Sequence, residues 1–405
     1  MRLLWILTIM SSLSAGAQER PYRHAPGAPD APMLVLLPNG PETVDAEFKT
    51  WAQIAASRKW TLVVPAFPLP GDAGLKQLET WIPEVRATLK LEKSPCYLVG
   101  TGNAAALVFY AAARVPHLWT AAVAVSGSPK PAVDSDRIFG ANTMNVPVGW
   151  AVNAEERGAS DALRGKMIAG GYNLTVLESA TVEQLLDFFA KHRFDAYPAS
   201  IDCETGNPQL ARCYWVTVTA FDPALRNDAI RSTRIAPDNL GASLDFGGFG
   251  FKTTTAGPGV LVEFLPDNYN GPLKLNDRIV ALSGKQIIDA KHYIELMSQV
   301  TEERPVSVTI DRIEKKEKDR IRLTTYYKLR KREEVITARL QASYSVDAKE
   351  ITIISRAVAE LQIRVPGQWV PATITWNGNQ MAAPQQAGCL VLSLKTPGAA
   401  RPCPQ

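Results

Sequence analysis

The chain has little histidine and no strong charge of either sign. Its 405 residues include 4 His, and its 44 Lys and Arg against 40 Asp and Glu leave a formal charge of +4. An excess that small does not argue for nucleic acid or for an anionic membrane surface. No Cys/His pair stands at metal-ligand spacing, so neither a metal site nor any other cofactor is expected. Beyond the N-terminus no stretch approaches the ~20 continuous apolar residues that a membrane-spanning helix needs. What remains is a composition of globular type, 46% hydrophobic and 21% charged, with a length that suggests two to three domains.

The N-terminus has the grammar of a targeting segment. Arg2 precedes the apolar run Leu3–Met10, and small residues follow to Ala15-Gly16-Ala17. This predicts a signal peptide over 1–17, cleavage after Ala17, and a secreted or periplasmic protein. Export permits disulfides. Cys203 and Cys213 flank a polar loop and are the first pair expected; Cys389 and Cys403 are a second, leaving Cys96 single.

From 33 to 192 short apolar runs alternate with helical patterns. Met33–Leu37, Trp60–Val64, Cys96–Val99, Ala121–Val125, Val146–Val152 and Asn173–Leu177 read as buried parallel strands. Right-handed crossovers then predict a doubly wound α/β sheet over 30–197. Its last helix opens on the capping box Thr181-Val182-Glu183-Gln184, with an inner face of Val182, Leu185, Leu186 and Phe189. After 192 strand patterns take over. The segments 203–225 and 333–395 suggest a small antiparallel β-sandwich interrupted by a middle domain over 235–328, with a flexible tail at 396–405. The charge run Glu314–Lys318 reads as a solvated hairpin tip.

The turn between the strand at Cys96 and the next helix reads Gly100-Thr101-Gly102-Asn103-Ala104. With Leu36–Gly40, Val115–Trp119 and Val125–Ser128, it resembles the dienelactone-hydrolase and polyester-depolymerase-like branch of the α/β-hydrolases. In that family the turn is Gly-x-Ser-x-Gly, a sharp elbow that holds the nucleophilic Ser at strained angles. Here Gly102 stands in the nucleophile's place. The resemblance implies an acid near Asn153-Ala154-Glu155-Glu156, where carboxylates are present. It also implies a His in the loop Glu178-Ser179-Ala180, where none is present. His192 comes only after the following helix, about 16 Å further on at ~1.5 Å per residue. Two of three triad members are missing, so no catalytic residues are assigned and the enzyme reading leans to no. Thr101 and Ser126 are the alternative nucleophiles of an unorthodox esterase or peptidase. Gly100-x-Gly102-x-x-Ala105 also fits a dinucleotide fingerprint, but the turn is not on the first strand and no acid ends the next one.

In the middle domain, Gly248-Phe249-Gly250-Phe251 and the block Leu273–Leu282 with its turn Ser283-Gly284-Lys285 resemble a PDZ domain. That resemblance implies capture of a peptide or protein C-terminus by strand addition. The backbone of Gly248, Phe249, Gly250 and Phe251 would hold the carboxylate, Ile294 and Met297 would line the pocket, and His292 would stand at the helix start. Only Lys252–Pro258 separates this loop from the next strand, so the pairing strand is short. The sequence thus predicts an exported, non-catalytic binding protein, with an active esterase as the alternative.

Overall fold

The computed structural model describes residues 22–66, 69, 71–152, 157–236, 244–265, 269–300, 304–313, 320–329, 336–396, 398 and 400–404. The expected signal peptide, the acidic loop 153–156 and the charge run 314–318 lie outside them. The chain divides into two compact units, one of Met1–Ile235 with Thr337–Gln405 and one of Ala236–Ile336.

The first unit opens with strands β1 (Tyr22–Ala25), β2 (Met33–Leu37), β3 (Thr61–Pro65), β4 (Cys96–Thr101), β5 (Ala121–Val125), β6 (Val148–Val152) and β7 (Leu174–Glu178). Between them run helices α1 (Val44–Ser57), α2 (Gly71–Thr88), α3 (Ala105–Arg114), α4 (Lys130–Asp134) and α5 (Arg157–Ala169), and α6 (Val182–Ala190) follows β7. They form one sheet in the order β1-β3-β2-β4-β5-β6-β7. All neighbours are parallel except the edge strand β1, which runs antiparallel to β3. Both faces are covered, which is why the strands read as unbroken apolar runs. Met33, Val35 and Leu37 face one core with Leu98, Phe109 and Trp150; Leu34 and Leu36 face the other with Tyr97, Val99 and Phe189.

Two details depart from the sequence pattern. Strand β1 has no signature in it, because Arg23 and His24 break any apolar run; Tyr22 anchors it against Trp81. On α6 the inner face is Leu185, Leu186, Phe188 and Phe189, whereas Val182 is 44% exposed. The capping box is present, with the Gln184 N–H donating to Thr181 Oγ1 and Gln184 Oε1 accepting from the Thr181 N–H.

The chain continues through β8 (Ser200–Thr205), β9 (Arg212–Cys213) and β10 (Val216–Phe221) before the second unit. That unit contains β11 (Val260–Leu261), β12 (Arg278–Leu282), β13 (Lys285–Gln286), helix α7 (Ala290–Ser298), β14 (Val306–Ile313) and β15 (Arg320–Tyr327). Its sheet runs β11-β12-β14-β15, with β13 paired to β12. The buried Asp277 receives two hydrogen bonds from Arg312 at 2.6 and 2.8 Å, tying the start of β12 to β14.

The first unit resumes with β16 (Ala338–Ser345), β17 (Glu350–Arg356), β18 (Val358–Val365), β19 (Thr373–Trp376), β20 (Asn379–Ala382), β21 (Gly388–Ser393) and β22 (Arg401–Pro402). Two five-stranded sheets result, β22-β21-β18-β10-β9 and β20-β19-β17-β16-β8. They share one core that includes Trp215, Ile351, Ile363 and Trp376. The Cys203–Cys213 disulfide joins β8 of one sheet to β9 of the other, and Cys96 is free and buried. The C-terminal tail, expected to be loose, is corrected by the structure. Arg401 and Pro402 pair with Val391 and Leu390, and Cys403 is bonded to Cys389. No described helix is long and apolar enough to cross a membrane.

One carboxylate holds these parts together. The Glu204 side chain on β8 is fully buried and accepts from Ser232 Oγ (2.6 Å), the Thr233 N–H (2.7 Å) and Thr233 Oγ1 (2.9 Å). It also accepts from Thr337 Oγ1, and the Arg356 guanidinium lies 3.4 Å away. Thr233 is just before the second unit and Thr337 just after it. On the backbone side, Asn142 of the sheet half accepts from the Glu204 N–H (2.6 Å) and donates to its carbonyl (2.9 Å).

Removing the carboxylate leaves Arg356 and the surrounding donors without their acceptor in a buried site. Glu204→Ala is therefore expected to destabilise the first unit by about 3 kcal/mol. All 9 Trp lie outside 236–336, so Trp fluorescence in a urea titration reads this unit alone. A second expectation concerns His117, buried between α2 and Arg212, with Nε2 3.3 Å from Glu79 Oε1. Burial first, then the charges of Arg212 and Lys76, hold its pKa well below the ordinary value, against a weaker opposing backbone hydrogen bond at Arg212. The unfolded chain then takes up the proton first. Stability contributed by this group is complete above about pH 6.5 and falls as the pH drops below it. His117→Gln should flatten that part of the stability profile between about pH 7 and 5.

Candidate functional site

The strand order places β2 beside β4, so the loop after β2 meets the turn after β4. At that junction β4 ends on Thr101, and Gly102 takes φ +52° before the short turn Gly102–Ala104 leads into α3. This is the left-handed region, where glycine is at ease and any other residue is strained. Space is lacking as well: a Cβ on Gly102 would run into the Asn39 side chain. The position is built for glycine.

The surrounding donors are also committed. Asn39 Oδ1 accepts from the Asn103 N–H at 2.5 Å. The Asn39 N–H in turn donates to Glu47 Oε2 at 3.0 Å, and Thr101 Oγ1 donates to Glu47 Oε1 at 2.8 Å. In an elbow enzyme the oxyanion is bound by the N–H after the nucleophile together with an N–H from the neighbouring strand-to-helix loop. Here the first holds the oxygen of Asn39 and the second holds Glu47. Both N–H groups are thus occupied by side-chain oxygens of the chain itself.

Of the other expected members, the acid at 153–156 lies outside the described residues, Ser126 is brought beside the turn, and His192 is not. Ser126, at φ +56°, sits after β5 with its N–H donating to the Ala151 carbonyl, and the adjacent Gly127 packs against the Gly102 carbonyl. Ser179 and Ala180 offer no imidazole. His192 is at the opposite end of the sheet: its carbonyl accepts from the Tyr97 hydroxyl near the start of β4, and its ring lies 5.1 Å from that of Phe188. Burial, then the charge of Lys191, lowers its pKa. Along β4, four residues at ~3.3 Å each separate Tyr97 from Thr101. In the sequence Asn39 shows only as part of a loop, and Glu47 does not show at all. Neither has a local signal, since both act across the fold.

Beside the elbow opens a cleft of about 610 Å³. Its walls are apolar, with Leu37, Val64, Leu69, Ala104 and Leu107 among them. At its rim Arg23 pairs with Asp45. No group of three or more metal-ligating side chains exists among the described residues.

In the second unit, the Gly250 N–H donates to the Phe264 carbonyl (2.8 Å), and the Gly250 carbonyl accepts from the N–H groups of Glu263 and Phe264. Strand alternation then turns the backbone groups of Phe249 and Phe251 to the opposite side. The two rings lie 5.6 Å apart, and each contacts the Tyr293 ring of α7. Gly248 has open space around its Cα. Asp289 caps the helix, its Oδ1 accepting from the His292 N–H at 2.8 Å, and His292 Nδ1 accepts from the Ile288 N–H at 3.2 Å. Ile294 and Met297, at i and i+3, stand about 60° apart on α7. Met297 is buried with Ala290, Tyr293 and Leu296, while Ile294 is 38% exposed, about 100° round the helix from Tyr293.

No family model and no curated protein matches the chain. Solved structures that resemble it include esterase PE8, 18% identical over 42% of this chain and 97% of that one, with a TM-score of 0.30. The Bacillus cereus carboxylesterase is 15% identical over 42% and 93%, with a TM-score of 0.32. A thermostable esterase is 14% identical over 43% and 59%, with a TM-score of 0.31. Likeness at these scores carries no argument about activity.

The clash at Gly102 makes a specific thermodynamic prediction. Gly102→Ala should cost about 1–3 kcal/mol from backbone strain and contact with Asn39. In the Asn39→Ala background the contact is gone, and the same substitution should cost measurably less. Urea unfolding of the four variants gives the coupling between the two sites.

Proposed function

We propose that this chain is a non-catalytic binding protein whose first half is an α/β-hydrolase-like scaffold emptied of its chemistry. The observation that carries the reading is the Asn39 amide oxygen on the Asn103 N–H, above a glycine with no room for a side chain. A nucleophile, a base and an open oxyanion site act as a unit, and losing members of such a unit removes the mechanism rather than slowing it slightly. The apolar cleft beside the turn is then a pocket for a ligand that is held and not cleaved. The two disulfides agree with an exported protein.

The second unit is proposed as a PDZ-like module that takes a peptide or protein C-terminus along the backbone of Phe249 and Phe251. The pairing of Gly250 with Phe264 favours this, since it turns the neighbouring amides outward beside α7. His292, whose Nδ1 accepts from the Ile288 N–H, would meet such a peptide through its Nε2 edge.

Two measurements test the pair of readings. Incubation with p-nitrophenyl esters of short and medium acyl chains should give no hydrolysis above buffer, and a fluorophosphonate probe should leave the chain unlabelled. Turnover that disappears in Ser126→Ala or Thr101→Ala would establish the esterase reading instead. For the second unit, the full chain should bind members of a C-terminal peptide library and lose them when the peptides are amidated. Binding indifferent to amidation would remove the PDZ-like role.

A further inference from the structure

The two disulfides stand in opposite surroundings. Cys203 and Cys213 are 8% and 5% exposed and join β8 to β9 within the core that the two smaller sheets share. Cys389 and Cys403 are half-buried, the first in β21 and the second just after the edge strand β22. A thiolate breaks an S–S bond only where it can reach a sulfur. The second bridge offers that access and the first does not.

Little else fastens the segment that the second bridge closes. β22 is two residues long and meets β21 through two pairs, Val391 with Arg401 and Leu390 with Pro402. Pro402 has no N–H to give. One further bond runs from the Cys403 N–H to the Cys389 carbonyl at 3.0 Å. Arg401 reaches over β21 to Glu360 on β18, an ion pair at 2.8 Å whose arginine side chain is 67% exposed. Exposed pairs of this kind hold weakly and are screened by salt. Strand pairing this short is marginal in water by itself. Closing a loop across a separation of 14 residues favours the paired form by roughly 100-fold, so the bridge supplies the order that the strand cannot.

The segment also covers apolar surface. Val391 is not part of the sandwich core, yet it is 5% exposed, and its cross-strand neighbours are Gln362 and Arg401. The aliphatic stem of Arg401 gives that cover on its way to Glu360. Ala400, just before β22, packs against the core itself.

We propose that Cys389–Cys403 is a redox-sensitive strap: a dithiol opens it while Cys203–Cys213 stays closed, and β22 then leaves the edge of its sheet. One thiolate of the dithiol attacks a sulfur of the bridge and expels the other cysteine, which takes up a proton. The second thiol of the reductant then attacks this mixed disulfide and releases the first cysteine. The dithiol ends as a disulfide and the two cysteines as thiols, with two electrons passed to the protein. Without the strap, β21 turns the unpaired backbone groups of Val391 to water and uncovers its side chain. The buried bridge keeps β8 and β9 joined throughout. Oxidation state thus sets whether this edge is paired or open.

Graded dithiothreitol on the full chain, followed by iodoacetamide and mass spectrometry of its peptides, tests the order of opening. Cys389 and Cys403 should be alkylated at reductant concentrations at least ~10-fold below those that open Cys203–Cys213. Hydrogen exchange at Val391, Arg401 and Cys403 should then rise at least ~10-fold, while Trp fluorescence stays that of the folded unit. The double variant Cys389→Ser, Cys403→Ser should show the same exchange with no reductant present. Alkylation of all four cysteines together, or of Cys203 and Cys213 first, overturns the proposal. So does a tail whose amides stay protected once the second bridge is reduced, because the strand would then hold without it.

Discussion

The Glu204 carboxylate is the constraint on which the rest of the first unit depends. A charge with no access to water is tolerated only when its lone pairs are filled and a counter-charge is near. Ser232, Thr233, Thr337 and Arg356 supply both conditions. These ligands come from the two sides of an insertion and from a neighbouring strand. The need to satisfy one anion thereby fixes where the chain leaves the unit and where it returns. Arg339 repeats the device one residue pair away, holding Asp202 with two hydrogen bonds and reaching the Arg231 carbonyl. A module of about a hundred residues can be interposed here because its stem is bonded on both sides before it begins.

The elbow obeys the same rule of satisfaction. A fold of this kind presents backbone N–H groups at the loop after β2 and the turn after β4, and such donors cannot be left idle. An enzyme leaves them to water and substrate. This chain spends Asn39 and Glu47 on them, and the side-chain amide that fills the site also takes the space a residue at 102 would need. In the reading proposed above, the glycine at 102 and the filling of the neighbouring N–H groups are thus one structural change. Either change alone would leave a strained side chain or an unpaired donor.

Much of this architecture is legible in the sequence, and the illegible part has a common cause. Apolar runs such as Met33–Leu37 and Ala121–Val125 declare buried parallel strands because both faces of the sheet are covered. Thr181 and Gln184 declare a helix start because capping is local, and the spacing of Cys203 and Cys213 around a turn is local too. Gly102 can be read because φ is a property of one residue. Asn39, Glu47 and Glu204 cannot, since apart from the Asn39–Glu47 bond across 8 residues the partners named for them lie 28 to 152 residues away. The C-terminal tail misleads for the opposite reason: its Pro and Ala residues speak for disorder, while the Cys389–Cys403 bond and two paired residues hold it to β21.

The two units also differ in how they close their surfaces, and this bears on where partners come from. The first unit buries both faces of its large sheet and stitches its two smaller sheets with a disulfide. What it leaves open is concave, an apolar cleft bounded by the same loop that plugs the elbow. The second unit has one small core, and among the described residues no strand pairs the outer edges at Phe249–Phe251 and along β15. Concave apolar space selects small molecules by shape, whereas open strand edges select other backbones by hydrogen bonding and by the pattern of side chains on alternate positions.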